Sequence, residues 1–213
     1  MSTGSSPRTP WCRPGRPEPP APGANNPRVT TPLAHIVLVE PEIPNNTGNI
    51  PNNTGNIGRT CVTLGCVLHL VHPLGFDTDE KACRRAGLDY WPRLDLREHD
   101  DFEGYERSRE PGAGVWYLSA RARRSILDAP IRRADHFVFG RESVGLAPGL
   151  LASRPDRAVS FPMVPGERSL NLSTGVGCVL TVLMLALEAR GEMSRNPDGT
   201  LNLRDIPNKI RSE

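Results

Sequence analysis

Three polar segments carry side chains suited to gripping an anion, a hydroxyl and a backbone-bound ligand. The first is Asn52-Asn53-Thr54-Gly55-Asn56-Ile57-Gly58-Arg59, between an apolar run and a short helix predicted over residues 57–64. Asn and Gly make a tight turn with exposed amides, and a helix start adds partial positive charge. Arg59 falls in the first turn of that predicted helix. A cation there opposes the helix dipole, so anion binding explains it better than helix stability does. The plain alternative is an ordinary Asn/Gly-rich turn.

The second segment is Phe137-Val138-Phe139-Gly140-Arg141-Glu142-Ser143-Val144-Gly145-Leu146. A predicted strand runs straight into Gly140, where a missing side chain lets a ligand approach the strand's carboxyl end. Glu142 follows two residues later, and on its own it reads equally well as a solvated loop acid. The third segment, Phe161-Pro162-Met163-Val164-Pro165-Gly166-Glu167-Arg168-Ser169-Leu170-Asn171-Leu172-Ser173, opens a long helix. Ser169, Asn171 and Ser173 alternate with leucines. One of them suffices as an N-cap, and three exceed that need.

Other residues offer less. Gly175-x-Gly177 lies inside an apolar helix with no preceding strand, which suits packing rather than dinucleotide binding. His35, His69, His72, His99 and His136 have no metal-ligand spacing, and Cys12, Cys61, Cys66, Cys83 and Cys178 contain no CxxC pair. The expectation is a protein that needs no metal.

These loops need a scaffold. Residues 34–39 (AHIVLV) form a continuous apolar run suited to a buried strand, and residues 67–71, 115–119, 136–139 and 158–161 read as further strands. Residues 79–86 read as a helix capped by Asp77 or Thr78, and residues 171–190 as one long apolar helix closed by Gly191. Strands alternating with helices predict an α/β domain with a mostly parallel sheet.

Composition divides the 213-residue chain further. Residues 1–32 are Pro-rich and polar, which predicts a disordered leader. Residues 33–190 form the expected domain, and residues 191–213 a polar C-terminal tail with a turn signal at 196–199. A net charge of +2 excludes a histone-like polycation but leaves a local RNA-binding face open. The most apolar stretch, 176–187, is too short to span a bilayer, so a cytoplasmic protein without a membrane partner is expected. One feature is unusual. Residues 44–50 read PNNTGNI, and residues 51–57 repeat it.

Taken together, N-x-G-N-x-x-R, F-G-x-E-S-x-G-L and R-S-L-N-L-S in this order resemble the three motifs of the SPOUT-class (SpoU/TrmH-like) RNA 2′-O-ribose methyltransferases. Val39-Glu40-Pro41-Glu42-Ile43, Arg84-Arg85-Ala86-Gly87-Leu88-Asp89-Tyr90-Trp91 and Phe161-Pro162-Met163-Val164-Pro165 narrow the resemblance to the bacterial tRNA (cytidine/uridine-34-2′-O)-methyltransferases. The resemblance covers residues 34–190. It implies a SPOUT fold, a mostly parallel sheet flanked by helices with a C-terminal deep trefoil knot. It also implies a homodimer acting on tRNA, with S-adenosylmethionine as methyl donor.

By the same resemblance, Leu118, Gly140, Phe161 and Ser169 match the cofactor contacts. Arg59, Asn53, Glu142, Ser169 and Asn171 match the active-site positions. Arg59 would bind the adjacent phosphate and polarise the hydroxyl, with Asn53 and Glu142 orienting Arg59 and the ribose. Ser169 and Asn171 would hold the loop and substrate. The alternatives are an enzyme of the same fold acting on another tRNA or rRNA position, and a non-catalytic RNA- or cofactor-binding member.

Overall fold

The computed structural model describes residues 31–42, 52–76, 78 and 87–202. The leader up to residue 30, the first PNNTGNI copy, the helix read over 79–86 and the chain beyond residue 202 lie outside the described residues.

The apolar run becomes β1 (His35–Val39), and α1 (Asn52–Leu64) and β2 (Val67–Val71) follow. Then come β3 (Asp95–His99), α2 (Phe102–Ser108), β4 (Val115–Leu118), β5 (Arg124–Ser125) and β6 (His136–Phe139). A short α3 (Pro148–Ala152), β7 (Ala158–Ser160) and α4 (Leu172–Ala189) complete the main body. Strands β1 to β7 form one sheet in the order β3-β2-β1-β6-β4-β7-β5, and every pairing is parallel.

Both faces of the sheet are covered, which is why β1, β2 and β6 are apolar runs rather than alternating ones. One face packs Ile36, Leu38, Leu68, Leu70, Trp116 and Phe137 against Ile57 and Cys61 of α1 and Val176, Val179, Leu180 and Leu183 of α4. The other packs Val37, Val71, Tyr117 and Val138 against Tyr105 of α2 and Leu150 and Leu151 of α3. Each fully buried Val, Leu or Ile contributes about 1.5–3 kcal/mol, so these two layers hold the sheet rigid beneath its loops.

Two differences from the sequence reading matter. Helix α1 begins at Asn52, five residues before the predicted start, so the Asn/Gly segment is helix and not loop. Tertiary packing overrides the weak helix propensity of Asn and Gly there. Thr54, Gly55, Ile57 and Gly58 are buried, and Tyr90 Oη donates to the Gly55 carbonyl. A Cβ on Gly58 would lie 3.0 Å from Trp91 Cζ3, so glycine lets the Leu88–Trp91 segment lie flat on the helix. The second difference is β3, whose polar sequence DLREH gives no strand pattern. It is an edge strand held by main-chain pairing to β2, with most of its side chains exposed.

Helix α4 matches its reading closely. Asn171 caps it, and Gly191, at φ +70°, closes it with bonds from Gly191 N–H to the Glu188 carbonyl and Glu192 N–H to the Leu187 carbonyl. At 18 residues it is longer than the 176–187 stretch and apolar enough by composition to cross a membrane. Six of its residues, from Gly175 to Leu187, are instead buried in this protein. Beyond it, the turn signal at 196–199 joins β8 (Ser194–Arg195) to β9 (Leu201–Asn202) in an antiparallel hairpin, and Met193 packs on the core.

Candidate active site

Strand order reverses at β1. Its sequence neighbour β2 lies on one side, and β6 lies on the other. In a parallel sheet the loops leaving the carboxyl ends of such a strand pair part company and leave a crevice. Glu40 and Glu42 follow β1, and Gly140 to Gly145 follow β6, so both segments meet there.

The β6 loop turns back tightly. Gly145, at φ +75°, donates its N–H to the Arg141 carbonyl at 2.9 Å. A Cβ on Gly140 would lie 2.2 Å from the Gly145 carbonyl carbon and 2.3 Å from Leu146 N. The room at Gly140 is therefore taken by the chain's own backbone. Glycine is needed there for the loop to close on itself.

That closure presents Arg141, Glu142 and Ser143 to the β1 loop. Arg141 pairs with Glu40, which itself adopts the left-handed region at φ 49°. Ser143 donates to Glu42 through its N–H at 3.0 Å and through its hydroxyl at 2.7 Å. Glu42 N–H donates to Glu142 Oε2 at 3.1 Å. Sequence reasoning quoted Glu42 and Ser143 but gave them no role, because nothing in their spacing, 101 residues apart, signals that they meet.

Asn53, in the first turn of α1, donates from Nδ2 to Glu142 Oε1 at 3.4 Å. Its Oδ1 accepts from Asn171 Nδ2 at 3.0 Å. Asn171 Oδ1 meanwhile accepts from Ser173 N–H at 3.0 Å and Thr174 N–H at 3.3 Å, and from the Ser173 hydroxyl at 2.8 Å. One side chain thus caps α4 and joins the first and third sequence segments. Ser169 lies on the exposed 161–171 loop, outside this set of bonds among the described residues. Thr54 Oγ1 is buried beside Asn53 and has no hydrogen-bond partner among the described residues.

Arg59 stands apart. With α1 starting at Asn52, it is the eighth helical residue rather than a first-turn residue, so the dipole argument for it falls. A six-residue step on an α-helix rotates a side chain roughly 120° away from its origin, which carries Arg59 off the Asn53 face. Its guanidinium lies 5.0 Å from the centroid of the Tyr90 ring. Among the described residues it forms no ion pair. Asn53 and Glu142 bond each other and not Arg59.

Leu118 and Phe161 lie at the carboxyl ends of β4 and β7, both half-buried. Those strands are paired, Leu118 facing Val159, and Ser119 N–H donates to the Val159 carbonyl at 2.9 Å. Since β6, β4 and β7 are neighbours, Gly140, Leu118 and Phe161 lie at three adjacent strand ends.

A second polar cluster lies within the sheet, on its α2 face. His35 Nδ1 is 2.9 Å from His69 Nε2, and His69 Nδ1 is 2.9 Å from His99 Nε2. His136 stacks on His35 at 4.1 Å and bonds the Tyr105 hydroxyl at 2.9 Å. Burial, aided by neighbouring cationic groups, pushes His35 down to about 4, His136 to about 3 and His69 to about 2. The imidazoles are therefore neutral at physiological pH. Ring nitrogens of His35, His69 and His136 all lie within 4.8 Å of one another. Sequence spacing could not show this, since the three come from separate strands. The His35 and His136 rings are parallel to within 4°, so their in-plane lone pairs do not converge on one point.

Residues 34–181 match the sequence profile of the SpoU rRNA Methylase family. A tRNA (cytidine(34)-2′-O)-methyltransferase from Burkholderia pseudomallei is 42% identical over 150 residues, covering 70% of this chain and 92% of that one. A solved structure described for the 2-OH methylation of C/U34 on tRNA is 40% identical, with a TM-score of 0.61 over 76% of this chain and 96% of that one. An AdoMet-bound rRNA methyltransferase from Sinorhizobium meliloti shares the fold at 20% identity and a TM-score of 0.60, over 75% of this chain and 59% of that one.

Proposed function

The chain belongs to the SpoU rRNA Methylase family, and from that premise we propose that it transfers a methyl group from S-adenosylmethionine to the ribose 2′-hydroxyl of the wobble nucleotide, position 34, of a tRNA. The observation that carries this reading is the Glu142–Asn53–Asn171 chain, which draws three distant sequence motifs to one point above the sheet. Identity of 42% to an enzyme named for this reaction supports the choice of nucleotide.

The strand ends suit the methyl donor. Half-buried Leu118 and Phe161 offer apolar surface for a purine, and the chain turning at Gly140 and through Ser169 offers polar backbone beside it. When bound, the donor supplies an electrophilic methyl on a cationic sulfur. The protein's task is then to align a ribose oxygen, shed water and accept or relay one proton.

Arg59 holds the phosphate beside the target ribose, and its planar fork polarises the 2′-hydroxyl. A guanidinium is too basic to take a proton as an ordinary base. The Tyr90 ring, 5.0 Å from that guanidinium, steadies it through a cation–π contact. Glu142, with its oxygens occupied by Glu42 N–H and Asn53 Nδ2, orients Asn53 toward the ribose. Asn171 ties Asn53 to α4, and Ser169 holds the last loop over the donor.

A second copy of the chain packs on the open side of α4, where Leu185 is 61% exposed and Val182, Met184 and Ala186 are half-buried. Burial of the opposite side supports a helix shared between a core and an interface in a cytoplasmic enzyme, not a membrane anchor. The family's knotted C-terminal threading is part of this reading.

The test is direct. The purified chain, given tritiated S-adenosylmethionine and total tRNA, should place label on the 2′-oxygen of nucleotide 34, with a leucine tRNA as the first substrate to try. Label at another nucleotide, or none on a tRNA already methylated elsewhere but free at position 34, would overturn the assignment.

A further inference from the structure

We propose that Glu42 is a positioning residue for methyl transfer, one half of a reciprocal clamp that sets where Glu142 points; this rests on the methyltransferase reading above. The clamp joins the loops that leave β1 and β6. Each loop's acid is gripped by the other loop's backbone. Glu42 N–H donates to Glu142 Oε2 at 3.1 Å, and Ser143 N–H donates to Glu42 Oε2 at 3.0 Å. The Ser143 hydroxyl adds a 2.7 Å bond to Glu42 Oε1, so both oxygens of Glu42 are engaged.

The consequence falls on Glu142. A carboxylate is planar, so a fixed Oε2 restricts where Oε1 can go. Oε1 is the atom that meets Asn53 Nδ2, and Asn53 in turn meets Asn171. The direction of the whole chain is therefore set at Glu42. Stability alone explains the arrangement poorly. Glu142 and Ser143 are exposed, where single hydrogen bonds contribute little. The same loop keeps Glu40 in a left-handed conformation that a non-glycine residue rarely adopts, tied to Arg141.

The experiment measures the rate of methyl transfer by the full-length chain at saturating tRNA and S-adenosylmethionine, with KM for tRNA, calorimetric affinity for the methyl donor and melting temperature alongside. Glu42→Ala should slow transfer about 100-fold, the order of loss that a 1 Å misplacement causes. KM, donor affinity and melting temperature should stay near wild type. Glu42→Gln should recover to within about threefold, since its amide oxygen accepts from Ser143 N–H and its amide nitrogen donates to Ser143 Oγ. Ser143→Ala, which keeps the N–H bond, should lose only a few-fold. In a Glu142→Ala background, Glu42→Ala should add no further loss, because a residue that acts through another has nothing left to position.

Wild-type speed in Glu42→Ala overturns the clamp. So does a multiplicative loss in the double variant, or a fall in rate that tracks melting temperature and is not relieved by Gln. An unmodified chain that methylates no tRNA overturns the activity reading and the clamp together. An active wild type with an unaffected Glu42→Ala overturns the clamp alone.

Discussion

The strand-end network around Asn53 and the histidine row across the sheet are both chains of hydrogen-bonded polar side chains. They lie on the same parallel scaffold, and they differ in what surrounds them. Glu142, Ser143 and Asn171 are exposed, and their polar atoms can exchange protein partners for a substrate. His35, His69 and His136 are buried, so each polar atom must find its partner inside the protein. The first network is open to a substrate. The second can only be satisfied or unsatisfied. If neutral His69 donates at one nitrogen it must accept at the other, so His35, His69 and His99 order their protons in one direction.

The largest effect should come from closing the turn that presents the open network. Any side chain at Gly140 meets the backbone of Gly145 and Leu146, so Gly140→Val must push the 140–146 loop out of place. Calorimetry should find no binding of S-adenosylmethionine, while circular dichroism reports a folded sheet. Normal binding by a folded variant would separate Gly140 from the site. Next in size is Arg59→Lys. A point ammonium keeps the charge and the contact with Tyr90 but loses the planar fork, and transfer should fall about 100-fold at unchanged melting temperature. Asn53→Ala should do the same by cutting Glu142 from Asn171. If either variant loses stability in proportion to activity, the open network is structural after all and the contrast with the histidines dissolves.

The buried row should respond to acid instead. Folded His35 titrates near 4 against about 6.5 in the unfolded chain. A base with a lowered folded value is neutral in both states above about pH 6.5, and its full contribution to stability is present there. As pH falls from 6.5 toward 4, the unfolded chain takes up the proton first, so stability falls with pH. His35 alone accounts for about 3 kcal/mol over that window, and His136 and His69 extend the loss to lower pH. Urea titrations at pH 7.5 and pH 5 should show this fall. His69→Ala, which also removes two hydrogen bonds and leaves a cavity, should cost about 3 kcal/mol at pH 7.5 while transfer per folded molecule is unchanged. A flat stability profile would mean that water reaches the row.

The same contrast explains what could be read in the sequence. Gly140, Glu142, Asn171 and Arg59 stand in short contiguous motifs, so the sequence singles them out as candidates before any contact is known. The buried strands announce themselves as apolar runs. The start of α1 did not, because Asn and Gly signal a turn unless one knows that Tyr90 and Trp91 will pack on Gly55 and Gly58. Strand β3 did not, because an edge strand owes its place to main-chain bonds with β2. The histidine row and the Glu42–Ser143 bond did not, because register and loop closure create them from residues 30 to 101 positions apart. Local pattern predicts what a segment is, and only pairing predicts what it touches.

The smallest expected effect tests which of two identical segments supplies the open network. PNNTGNI occurs at 44–50 and again at 51–57, and the first copy lies outside the described residues. Deleting either copy yields the same protein, so only point changes can tell them apart. Asn53 belongs to α1, shares its first turn with buried Thr54 and Gly55, and bonds both Glu142 and Asn171. Asn46 precedes Arg59 by thirteen residues, with Pro51 between them. For Asn46 to replace Asn53, the second copy would have to leave the helix. That would insert seven residues headed by Pro51 between the first copy and Gly58, and so interrupt the main-chain bonds that carry α1 into Arg59. Seven residues added ahead of the helix would cost less, since closure entropy grows only slowly with length. Asn46→Ala should therefore change the rate less than about twofold where Asn53→Ala costs about 100-fold. The seven-residue deletion should be at least as active as the full chain. A damaging Asn46→Ala would mean that the chain extrudes its second copy, and the role given to Asn53 would pass to Asn46.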